Sequence, residues 1–66
     1  METRKITVTL WDGDTKIEAN PHDYVVQYYA GGWQSEAVFN EFLKAEACRK
    51  DLETHGCKYT QIVQLY

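Results

Sequence analysis

Proline occurs once in these 66 residues and cysteine twice, and each scarcity closes off a class of protein. Two cysteines cannot make the disulfide framework that holds small secreted domains together. Cys48 and Cys57 are separated by a stretch that reads mostly as helix, about 13 Å of rise, too far for a bridge. They read as reduced thiols, each a small hydrophobe. No apolar run approaches the ~20 residues needed to cross a bilayer. No charged-then-apolar leader follows Met1, so the expectation is a cytoplasmic chain without membrane contact. Basic residues are also few, seven Lys and Arg against ten Asp and Glu, for a formal charge of −3. That balance argues against a nonspecific nucleic-acid binder and against anionic membranes.

The motifs of common catalytic and metal sites are missing too. Cys48, His55 and Cys57, with His22 as a distant fourth, are the only residues resembling a zinc set. They lack the close C-x-x-C pair, and Cys48 would have to reach past nearly two helical turns, so no metal is expected. His55 beside Cys57 could suggest a base and a nucleophile, but a helix-terminal His facing the dipole accounts for it better. Asp12, Asp14 and Glu18 form an acidic hairpin without the Gly and terminal Glu of an EF-hand loop. Gly31-Gly32 lacks the Lys-Ser/Thr or third Gly of a phosphate loop. The sequence points to no catalytic residue, no cofactor and no enzyme.

What is present is a periodic stretch from Ser35 to Gly56. Val38, Phe42, Ala45, Arg49 and Leu52 recur at helical spacing, with Phe39 beside Phe42, and predict one long amphipathic helix of about 20 residues. Arg49 can lie along that stripe with its head in water. Glu36, Glu41, Lys44, Glu46, Lys50 and Asp51 occupy the remaining faces, with Glu46 placed to pair with Lys50. Ser35 is the expected N-cap. Gly56 is the expected left-handed residue after the C-cap, which brings Leu52 and Cys57 into a Schellman motif.

The flanks read as β. Ile6, Val8 and Leu10 alternate with Lys5, Thr7, Thr9 and Trp11 over Lys5–Trp11, the pattern of a half-buried strand. Asp12-Gly13 is a hairpin turn signal, and Lys16–Ala19 is the return strand with Ile17 and Ala19 inward. From Asn20 to Gly32 two readings compete. Asn20, Pro21 and Asp23 could open a short helix. Tyr24-Val25-Val26-Gln27-Tyr28-Tyr29, dense in β-branched and aromatic residues, favours a strand after an Asn20–Asp23 turn. Gly31-Gly32 then becomes a joint before the helix, with Trp33 folded over its first turn. Lys58–Leu65 is the last strand, with Tyr59, Val63 and Leu65 towards the helix and Thr60, Ile62, Gln64 and Tyr66 on the other side.

The sum is a single α+β domain over residues 1–66, a two-layer sandwich of order β-β-(β)-α-β. One long amphipathic helix covers one face of a three- or four-stranded sheet. A right-handed crossover would lay the last strand parallel to the first or the third, the first being the better neighbour as the central strand with one apolar face, and the second face would stay open.

Two Trp, five Tyr and two Phe are more aromatics than one helix-on-sheet interface can bury. The candidate binding surface is Thr7, Thr9, Trp11, Tyr29, Ile62 and Tyr66, projected from the open face. Cross-strand packing is the bland account of these residues. Enrichment of Tyr and Trp at interfaces is the functional one. In size and element order the chain loosely resembles small phage-encoded proteins that bind and inhibit host enzymes, which implies an inhibitor or modulator. The reading is a non-catalytic protein-binding domain, with a homodimer contact on the same face. The alternative is a nucleic-acid-binding sheet that stacks bases on Trp11, Tyr29 and Tyr66, with Lys5 and Lys58 near phosphates.

Overall fold

A computed structural model describes residues 5–66. The leaderless start read at Met1 lies outside the described residues. Five strands and one helix follow in the order β1 (Ile6–Thr9), β2 (Lys16–Ala19), β3 (Tyr24–Tyr29), β4 (Trp33–Phe39), α1 (Phe42–Thr54) and β5 (Thr60–Gln64). The α+β class holds, with one helix on a sheet of three antiparallel strands ordered β4-β3-β5. β1 and β2 form a separate two-stranded hairpin.

The hairpin follows its alternation. Ile6 pairs with Ala19 and Val8 with Ile17, so Val8 and Ala19 turn inward and are buried. Gly13 sits at φ 78°, where a Cβ would be disfavoured. The Asp12 carboxylate accepts from the Asp14 and Thr15 amides and from the Thr15 hydroxyl, tying the loop together. These bonds, the Thr15 hydroxyl foremost, hold the Asp12 carboxyl below its ordinary range. Its acidity is spent on the turn.

Asn20 to Gly32 resolves as turn and strand. His22 takes a positive φ of 74°, and the Asp23 carboxylate accepts from the Asn20 amide. β3 follows, buried at Val25 and Val26.

The helix is shorter than its periodicity implies. Residues 33–39 are strand β4, and α1 begins at Phe42 and runs 13 residues, about 20 Å. Ser35 therefore caps nothing; Glu41 is the N-cap, without a side-chain capping bond. Gly31-Gly32 is the β3–β4 hairpin loop, with Tyr29 paired to Trp33 across it. Val38 and Phe39 match a helical stripe only because a bulge between Val26 and Gln27 of the partner ladder interrupts the period of two in β4. The far end agrees with expectation. The Cys57 amide donates to the Leu52 carbonyl and the Gly56 amide to the Glu53 carbonyl, with Gly56 at φ 99°, a Schellman closure.

Paired residues in antiparallel strands share a face. Tyr24, Val26 and Tyr28 pair with Gln64, Ile62 and Thr60, and with Phe39, Ala37 and Gln34. This is the helix face: the Tyr24 and Phe42 rings meet edge to face at 5.5 Å, and the Arg49 guanidinium reaches the Thr60 hydroxyl. Val26 and Ala45 have no exposed surface. Arg49 pairs with Glu46 and Glu53 at 2.6 Å each, in place of the expected Glu46–Lys50 pair. Phe42 remains 48 % exposed, so the stripe contributes less burial than its spacing implies.

The last strand thus presents the reverse of its expected faces. Thr60, Ile62 and Gln64 lie under the helix, while Val63 and Leu65 take the other side. It runs antiparallel to β3 and does not pair with β1. The second sheet face is not fully open either. Val25, with Val38 and Leu65, packs against Val8, Leu10 and Ala19 of the hairpin. The Trp11 amide donates to the Ser35 carbonyl at 2.9 Å and stitches the hairpin to the outer edge of β4.

Candidate functional site

The hairpin covers only one end of that second face. Beyond the row formed by Val38, Val25 and Val63 come two further rows across the three strands. The first is polar: the Gln61 amide donates to the Gln27 side-chain oxygen at 2.6 Å, and the Gln27 amide donates to the Ser35 hydroxyl at 3.3 Å. The second is aromatic. Tyr29 pairs with Trp33 on one side, and its amide donates to the Tyr59 carbonyl on the other. The Tyr29 and Trp33 rings meet edge to face at 5.5 Å. Trp11 stands where the hairpin crosses the β4 edge. These four side chains, Trp11, Tyr29, Trp33 and Tyr59, are between 46 % and 64 % exposed.

The expected surface is therefore partly assembled and partly divided. Tyr29 lies on the second sheet face, and the Trp11 backbone joins the β4 edge at Ser35, with one pair between it and the Tyr29–Trp33 row. Thr7 and Thr9 are exposed on the outer face of the hairpin, opposite Val8, one layer above the sheet. Ile62 lies on the helix face and leaves the surface. Tyr66 follows β5 and is largely exposed. Trp33 and Tyr59 join the surface in their place. The signal for Trp33 was present: a Gly-Gly turn between two aromatics marks a hairpin closed by a cross-strand ring pair.

The remaining candidates lie at the helix and its C-terminal end. Cys48 and Cys57 are free and half-buried. Burial raises the Cys48 thiol above its ordinary value, and Glu36 and then Asp51 add to the shift. Burial likewise raises the Tyr28 phenol, with Glu36 and Cys57 as lesser causes. His55 places Nδ1 2.8 Å from the Asp51 carbonyl oxygen, as a helix-terminal residue does. Among the described residues no group of three His, Cys, Asp or Glu side chains is placed to hold a metal. No helix among them is long and apolar enough to cross a membrane.

Chemically, the arrangement offers aromatic area, neutral amides and a hydroxyl on a gently exposed sheet. Lys5, one of the two lysines assigned to phosphates, donates to the Asn20 side-chain oxygen at 2.8 Å. Comparison with protein-family models, with curated proteins and with solved structures gives no match.

Proposed function

We propose that this chain is a small non-catalytic protein-binding domain, an inhibitor or modulator of another protein. The observation that carries the reading is the half-exposed aromatic group of Trp11, Tyr29, Trp33 and Tyr59 beside the Gln27–Gln61–Ser35 row. Trp and Tyr present large apolar area at small entropic cost and are enriched among residues that dominate binding energy. The amide row supplies hydrogen-bonding groups without a charge to desolvate. The two free thiols fit the reducing cytoplasmic setting suggested by the sequence. The loose likeness to phage-encoded inhibitors points in the same direction but is one of size and element order only.

Base stacking on the same aromatics is the competing use, and salt separates the two. Immobilised protein is challenged with lysate and washed at rising ionic strength. A protein partner held by aromatic contacts is retained, because little counterion release accompanies its binding. Nucleic acid held through phosphates is released steeply as salt rises. Bound material that leaves with salt and is destroyed by nuclease contradicts the proposal.

A further inference from the structure

The three-stranded sheet has two edges, and they are finished differently. On β4 the ladder is broken by a bulge, Glu36 carries a charge there, and the Ser35 carbonyl is taken by the Trp11 amide. These are devices that keep an edge from recruiting another strand. The hairpin's β2 is four residues long and carries Lys16 and Glu18. β5 has none of this. Thr60-Gln61-Ile62-Val63-Gln64 has no charge, no proline and no bulge, and no strand among the described residues pairs with its outer side.

The backbone of β5 fixes which groups are unused. The Leu65 amide donates to Asp23, and the Tyr59 carbonyl accepts from Tyr29. Residues 59, 61, 63 and 65 thus turn their amides and carbonyls towards β3. By alternation, those of Thr60, Ile62 and Gln64 turn outward. Among the described residues no backbone hydrogen bond from these three goes to another element on that side.

We infer that the outer edge of β5 is an interface with a second copy of this chain, joined antiparallel about a two-fold axis through Ile62. The three outward residues are centred on Ile62, so this register sets Ile62 against its own copy and Thr60 against Gln64 in both directions. Each of these is a hydrogen-bonded pair, and together they would exchange about six backbone hydrogen bonds. The side chains agree with the register. Ile62 meets Ile62, hydroxyl meets amide, and Gln61 falls opposite Val63, which is 37 % exposed in the single chain. Lys58 is the one charge in 58–66 and meets Tyr66 of the second copy, so no like charges oppose each other. An isologous contact closes after two copies and gives a continuous six-stranded sheet. Both helices then lie on one face and both hairpins on the other. In this register Gln61 and Tyr59 of each copy stand beside Val63 and Leu65 of the other, while Tyr29 and Trp33, on the strands further in, stay clear of the edge.

Sedimentation of the full chain from micromolar to millimolar concentration tests it. The parent is expected to reach the dimer value, with the Thr60, Ile62 and Gln64 amides gaining protection from hydrogen exchange as it does so. Gln64→Pro removes an outward amide without touching the β3 ladder and should give the monomer value with an unchanged far-UV spectrum. A charge pair tests the register without relying on that variant. Thr60→Lys with Gln64→Lys opposes like charges twice and should abolish the dimer, whereas Thr60→Lys with Gln64→Glu opposes unlike charges and should restore it. A parent that stays monomeric throughout overturns the inference. So does a folded Gln64→Pro variant that remains dimeric, or equal behaviour of the two charge variants.

Discussion

Val26 and Tyr29 stand three residues apart on one strand, yet the first has no exposed surface and the second is half in water. The difference lies in what covers each face of the sheet. On the Val26 side a 13-residue helix spans all three strands and seats Ala45 close against them. On the Tyr29 side the cover is a hairpin with four-residue strands, long enough for the Val38–Val25 end and no further. These 66 residues carry little apolar surface to bury, and the described ones cover the second face only in part. The uncovered end is where aromatics with polar tips collect, and the proposed binding surface lies there.

The comparison breaks most directly in the two cores. Val26→Ala removes buried methyl groups from beneath the helix and should cost about 2 kcal/mol, in transfer and cavity terms. Val25→Ala, buried against the hairpin, should cost a similar amount if the hairpin is a true cover. Denaturant unfolding of both variants reads this, and a Val25→Ala midpoint equal to the parent's would show the hairpin to be loosely attached. A smaller effect is expected at the helix start. Phe42 is half-exposed and meets the Tyr24 ring edge to face, so Phe42→Ala should cost about 1–2 kcal/mol, well short of a fully buried Phe. A loss near 4 kcal/mol, roughly the buried-Phe figure, would mean that the helix sits deeper on the sheet than described. The smallest effect sharpens the helix boundary. A Cβ at Gly56 would meet nothing within 4 Å, so Gly56→Ala tests the backbone at φ 99° alone. It should cost about 1 kcal/mol in thermal or denaturant unfolding. A variant as stable as the parent would place the end of the helix elsewhere.

The sequence made some of this legible and not the rest, for identifiable reasons. The first hairpin could be read because Ile6, Val8 and Leu10 face a core on one side only, which leaves a clean alternation. β3 could be read from its β-branched and aromatic density, and the Schellman closure from Gly56. β4 could not. Its bulge at Glu36 removes the period of two, and Val38 then lines up by coincidence with Phe42, Ala45 and Arg49 at helical spacing. The faces of β5 read the wrong way round in the sequence because the strand has apolar residues on both sides, Ile62 under the helix and Leu65 under the hairpin. With both faces covered, alternation carries no information about which is which. That reversal moved Ile62 off the candidate surface and brought Tyr59 onto it. Trp33 is hidden with β4 itself, whose period the bulge breaks.

The central claim is that the aromatic end of the sheet binds a partner and is not there for packing. Trp11 and Tyr59 are the residues to change, because the Tyr29–Trp33 ring pair also closes a hairpin and has a structural use of its own. The double substitution Trp11→Ser with Tyr59→Ser should leave the thermal midpoint close to that of an exposed control such as Lys44→Ala, while the protein captured by the parent is no longer retained. A midpoint that falls as far as that of Val26→Ala, with every partner still bound, would contradict the claim.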